Sequence, residues 1–203
     1  IIIVEGYMDV IMLHQYGIFN AVATLGTSPS SYHLEKLFKL TSKIIVCFDG
    51  DNAGYIAAKR ALKLSLPLVN AQKSVNFLFL PSGEDPDSLV KKISASGFQQ
   101  KISEAMSLTD FLFKSFGITP NSIENKAKLA DLAQGMIKEM PEGTYKTLVY
   151  QHLKKITDIS LLGPKRTHKQ RRDNKQLYKL SPIESVIALI MHCPALALNI
   201  NTL

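Results

Sequence analysis

The chain has 203 residues, 46% of them apolar and 20% charged, with a formal charge of +7. That balance is typical of a globular protein with one well-filled domain and an appendage, or two modest domains. No apolar run approaches the roughly 20 residues that cross a bilayer, and no basic leader precedes a cleavage site, so no membrane association is expected.

In chain order, Ile1–Val4 is a β-branched run that opens, without Met, inside what reads as a buried strand, so the sequence is taken as part of a longer polypeptide. Tyr7–Tyr16 carries helical spacing ended by Gly17, Ala21–Leu25 reads as a second strand, and Ser30–Leu40 as a helix. Lys43–Phe48 is the clearest strand, Ala53–Leu66 a helix stopped near Pro67, and Val75–Leu80 a strand closed by Pro81-Ser82-Gly83. Such alternation predicts βαβ units and an α/β fold with a mostly parallel sheet flanked by helices. After Asp87 the strand signals stop. Ser88–Ile93, Gly97–Met106, Leu108–Phe116, Ser122–Met140 and Thr144–Thr157 all read as helices, which predicts an all-helical subdomain beside the sheet.

The positive charge is concentrated. Seven cations between Gly163 and Lys179 face Asp173 alone, while the rest of the chain is close to neutral. This stretch reads as a solvated linker in preference to a nucleic-acid contact, spanning about 25 Å as a coil at 5–6 Å × √n. Ser181-Pro182 then starts an apolar helix over Ile183–His192, the expected opening of a further domain. Cys47 and Cys193 are far apart and form no Cys-x-x-Cys, which argues against a disulfide scaffold or a structural zinc site and suits a reducing cytoplasm. The five histidines are scattered without metal-ligand spacing.

Acids gather just after three expected strands: Glu5 and Asp9, then Asp49 and Asp51, then Glu84, Asp85 and Asp87. In an open parallel sheet, ligands bind beyond the carboxyl ends of the strands, so these segments are expected to meet on one rim. Two carboxylates about 4 Å apart repel by roughly 4 kcal/mol at an effective dielectric near 20, so such a cluster calls for protons or cations. An all-oxygen donor set favours Mg²⁺, Mn²⁺ or Ca²⁺ and, with it, phosphoryl or nucleotidyl transfer. Gly6 and Gly50 each follow an acid, where a sharp turn or a close phosphate is easiest, and Gly54 is placed to let the following helix approach closely.

Val4-Glu5-Gly6-Tyr7-Met8-Asp9-Val10, Ala23-Thr24-Leu25-Gly26-Thr27, Cys47-Phe48-Asp49-Gly50-Asp51-Asn52-Ala53-Gly54 and Leu80-Pro81-Ser82-Gly83-Glu84-Asp85-Pro86-Asp87 resemble the TOPRIM region of bacterial DnaG-type primases. The resemblance continues through Ser107–Phe113 and weakens beyond about Asp158. It implies Glu5, Asp49 and Asp51 as catalytic residues and principal ligands of Mg²⁺ or Mn²⁺, with Asp9, Asp85 and Asp87 completing the acidic pocket or holding a further ion. It also implies template-directed synthesis of RNA primers from ribonucleoside triphosphates on single-stranded DNA, by a cytoplasmic, nucleoid-associated, monomeric enzyme that contacts the replicative helicase.

The expected division is a TOPRIM subdomain over 1–106, a helical part of the polymerase core over 107–160, a basic linker over 161–180, and the start of a helicase-binding domain over 181–203. The zinc-binding and basic subdomains that precede TOPRIM in this family lie outside these residues, so zinc is expected only there and the 203 residues alone are not expected to make primers. Tyr55 stands where the family usually has Arg. On the acids alone, a TOPRIM nuclease or topoisomerase fragment and a non-catalytic replication module stay open. Tyr7 and Tyr55 are expected to pack or touch substrate, and Cys47 to be a core residue.

Overall fold

Short β-branched runs separated by helices resolve into an open sheet. A computed structural model describes residues 1–25 and 29–158. The elements are β1 (Ile2–Val4), α1 (Tyr7–Gln15), β2 (Ala21–Ala23), α2 (Ser31–Leu37), β3 (Lys43–Phe48), α3 (Asn52–Ser65), β4 (Ser74–Phe79), α4 (Pro86–Ser103), β5 (Met106–Ser107), α5 (Leu108–Ser115), α6 (Ile123–Ile137) and α7 (Thr144–Thr157). The strand order is β2-β1-β3-β4-β5. The first four strands run parallel, with Ile2 opposite Ala21 and Ile45, and Val46 opposite Phe77. The α/β expectation holds, and the carboxyl ends of β1, β3 and β4 share one edge of the layer.

Both faces of the sheet are covered, and the alternation of side chains along β3 shows how. Ile44, Val46 and Phe48 join Leu34 of α2, Ala58 and Leu62 of α3, and Phe111, Leu129, Ile137 and Leu153 of α5 to α7 in one buried cluster. Ile45 and Cys47 point the other way, into a second cluster with Leu13 of α1 and Leu89, Val90 and Phe98 of α4. Burial pushes the Cys47 thiol far up, so this cysteine is a small core residue and no nucleophile. The helices after β5 therefore complete the core on one face of the sheet. Residues 26–28, the basic stretch 161–180 and the C-terminal stretch 181–203 lie outside the described residues.

Two elements differ from the expected pattern. The strand signals do not end at Asp87: β5 pairs antiparallel with β4, Met106 opposite Phe77 and Ser107 opposite Asn76. The sequence places Met106 at the end of a helix because a two-residue strand leaves no periodicity to read. The two helices expected over 88–106 form one element, α4, interrupted by Ser94 at φ 62 and ψ 176. Asp85 caps this helix and Pro86 occupies its first position, where a missing N–H costs nothing. Among the described residues no helix is long and apolar enough to cross a membrane.

Candidate metal centre

Each acidic segment begins where a strand ends. Glu5 follows the buried Val4, Asp49 follows the buried Phe48, and the Leu80 N–H donates to the Phe48 carbonyl, carrying the β3–β4 pairing to the start of the third segment. Gly50 permits this closeness, because a Cβ there would land on the carbonyl oxygens of Leu80 and Pro81. Gly54 does the same for α3: a Cβ would strike the Asp49 carbonyl oxygen. Gly54→Ala, normally favourable by up to about 1 kcal/mol inside a helix, is therefore expected to destabilise by about 1–3 kcal/mol. Gly135→Ala in α6, where a Cβ meets nothing within 4 Å, is the stabilising control in thermal melts.

The acids meet. Burial pushes the Asp49 carboxyl up to about 6, and the negative charges of Glu5, Asp9, Asp85 and Asp51 add to that rise. Asp9 is also raised by burial, against the Gly6 N–H that donates to its Oδ2 at 3.0 Å, with Asp85 and Asp87 repelling it. Asp51 Oδ1 accepts the Gly54 N–H at 2.7 Å and so starts α3. Asp85 Oδ1 accepts the Ser88 N–H at 2.7 Å and starts α4. The third segment carries its own counterions: Asp87 faces Lys91 at 2.7 Å, and Glu84 pairs with Lys92 and accepts the Ser88 hydroxyl. Among the described residues, no lysine or arginine pairs with Glu5, Asp9, Asp49, Asp51 or Asp85.

No three His, Cys, Asp or Glu side chains among the described residues are grouped closely enough to cage one ion. The donors are all oxygens, so the residues fit a hard cation better than zinc or copper.

A cleft of about 840 Å³ opens beside Asp49 and Asp51, walled by Tyr55, Phe79, Met106 and Lys114. Lys101 and Lys114 belong to this cleft although the sequence offers no signal for either. Tyr55 is half-buried, edge-on to Phe111 at 5.8 Å, so it packs. Tyr7 is 62% exposed, so of the two alternatives expected for it, packing or substrate contact, packing does not hold.

Residues 1–79 match the family model of the Toprim domain, which sets the class of the acidic sheet. The chain is 47% identical over 163 residues to the DNA primase of Pseudomonas aeruginosa, covering 79% of this chain and 24% of that protein. A crystal structure of a DNA primase domain from P. aeruginosa superposes with a TM-score of 0.76 at 47% identity, covering 79% of this chain and 51% of that one. A DnaG primase catalytic domain bound to single-stranded DNA gives a TM-score of 0.72 at 41% identity, over 76% and 51% of the two chains. The chain belongs to the DnaG-type primase family and corresponds to part of its catalytic core. It spans about a quarter of the P. aeruginosa primase and about half of the two solved chains.

Proposed function

We propose that this chain supplies the metal-dependent nucleotidyl-transfer centre of a DNA primase that copies single-stranded DNA into short RNA primers. What supports this most is the Asp49 carboxyl, raised to about 6 amid Glu5, Asp9, Asp51 and Asp85. Acids that repel one another in a cleft without lysine or arginine partners are the pattern expected of a site that recruits cations. The single-stranded DNA bound to the relative supports a template as partner.

Glu5, Asp49 and Asp51 would be the principal ligands, with Asp9, Asp85 and Asp87 completing the pocket or holding a second ion. Asp87 contributes least, because Lys91 already neutralises it. Mg²⁺ or Mn²⁺ held there would supply charge stabilisation at phosphate oxygens and acidify an attacking hydroxyl. Gly6, Gly50 and Gly54 would stand near the phosphate because each lets neighbouring groups close in on the rim: the Asp9 carboxylate, the Leu80–Pro81 backbone and the Asp49 backbone. The division into a TOPRIM part over 1–106, a helical part over 107–160, a linker over 161–180 and a helicase-binding start over 181–203 belongs to the same proposal. So do the ribonucleotide substrates, the cytoplasmic, monomeric enzyme and the helicase contact.

The chain alone is expected to bind Mn²⁺ yet incorporate no ribonucleotide, since about half of the solved catalytic cores lies outside it. Robust primer synthesis by the isolated chain would refute that. Joined to the rest of the polypeptide, it is expected to incorporate labelled ribonucleotides on a single-stranded template and to lose this with Asp49→Asn plus Asp51→Asn. DNA cleavage without incorporation would point to a nuclease.

A further inference from the structure

The two helical layers of the sheet carry charge differently. On the layer of α1 and α4, Lys91, Lys92 and Lys101 each pair with an acid: Asp87, Glu84 and Glu104. On the layer of α2 and α3, Lys36, Lys39, Lys59, Arg60 and Lys63 are all exposed, and none forms an ion pair among the described residues. Glu35 is the sole acid on these two helices. The face of α3 that carries Lys59, Arg60 and Lys63 lies opposite its buried residues Gly54, Ala58, Ala61, Leu62 and Ser65, so these cations point to solvent.

An exposed helix face usually mixes signs at three- and four-residue spacing. Here five cations face Glu35 alone on one side of a body whose net charge is small, a field that attracts polyanions. A shallow groove of about 310 Å³ is lined by Tyr32, Glu35, Lys36, Lys39 and Leu40, two cations against one acid. Tyr32 stands at it, 67% exposed, with the Lys36 ammonium 6.0 Å from its ring centroid. Cations beside an open aromatic ring suit a nucleic-acid strand, whose phosphates take the charges while a base stacks on the ring. Position adds to this. α3 starts at Asp51 on the acidic rim, and at 1.5 Å per residue Lys59 to Lys63 lie about 12–18 Å along it, the reach of roughly four or five phosphates at 3.4 Å each.

From this we infer that the α2–α3 face is a second contact surface for single-stranded nucleic acid, separate from the acidic rim and independent of metal. The test measures binding of a fluorescent single-stranded oligonucleotide to the 203-residue chain, in EDTA, across a salt series. The EDTA keeps the outcome separate from the metal reading of the rim. Each phosphate contact contributes about 0.7 to the slope of log K against log salt, so Lys59→Gln with Arg60→Gln and Lys63→Gln is expected to reduce the slope by about 2. Affinity at low salt should fall about tenfold or more.

Lys128→Gln with Lys154→Gln and Lys155→Gln removes the same charge from exposed positions of α6 and α7, outside both the cleft and the α2–α3 face, and is expected to leave the slope unchanged. The cations between Gly163 and Lys179 are common to both variants and cancel. Should the α3 triple lose its fold in circular dichroism, Lys36→Gln with Lys39→Gln replaces it, with an expected reduction of about 1.4. Tyr32→Ala is expected to weaken the single strand about fivefold or more and a duplex not at all. Equal slope changes in the two triples, no change in either, an equal duplex loss for Tyr32→Ala, or displacement of DNA by poly-glutamate at matched charge would each overturn the inference.

Discussion

Asp49→Asn is expected to give a more stable chain at pH 7.5 that binds Mn²⁺ tenfold or more weakly. The carboxyl titrates near 6 in the fold against 3.8 as its ordinary value, raised first by burial and then by Glu5, Asp9, Asp85 and Asp51. Between those two values the folded chain holds a proton that the unfolded chain has released. Stability therefore falls as pH rises through the window from about 4 to about 6, and the penalty is complete above it. Because the group is only partly buried, solvent screening reduces its worth to about 1 kcal/mol, or about 2–4 °C in Tm for a domain of this size. Asparagine keeps the shape and removes the charge, so the Tm gain should be present at pH 7.5 and absent at pH 4. The same proton competes with the cation, and Mn²⁺ affinity of the unaltered chain should drop below pH 6, by at most tenfold per unit. Melts at the two pH values and a Mn²⁺ titration followed by electron paramagnetic resonance check all three. A gain of the same size at pH 4, or unchanged Mn²⁺ affinity, would remove Asp49 from the cation site.

Phe111→Ala should have the largest effect on the fold, a loss of about 3–5 kcal/mol. Its ring is fully buried, with centroids 4.7 Å from Phe77, 5.1 Å from Phe79 and 5.8 Å from Tyr55. It joins α5 to β4 and to the foot of α3, so the vacancy would open beneath both the sheet and the helices that follow β5. A denaturant titration should show a lower midpoint and, in the unaltered chain, one transition for strand and helix signals together. A loss below 1 kcal/mol, or helices that melt apart from the sheet, would contradict a core shared across β5.

The parallel sheet was legible because its strands are continuous β-branched runs, such as Ile44-Ile45-Val46, buried on both sides and closed by glycine or proline. The expected rim follows for the same reason: once those strands are parallel, Glu5 and Asp49, one residue past β1 and β3, and Glu84, five residues past β4, come to the same edge. β5 was not legible, since two residues carry no pattern and its partner Asn76 lies 31 positions earlier. The pairing of Asp87 with Lys91 could be read as four-residue spacing on a helix, but only after α4 was known to begin at Pro86. The separation of paired from unpaired lysines was legible in part, since α3 carries no acid within its span while Asp87 and Glu104 stand four and three residues from Lys91 and Lys101. Lysine content is alike on α3 and α4, and the pair that only the fold shows is Lys92 with Glu84, eight residues apart.

The hydrogen bond from the Gly54 N–H to Asp51 Oδ1 has a consequence for how the rim meets a cation. An aspartate in a loop must give up rotamer freedom on coordination, whereas this one has already surrendered it to the first turn of α3. Asn at position 51 would keep the turn and discard the charge, while Ala would discard both. Comparing the two separates a ligand's pull on the ion from the stiffness of its mounting.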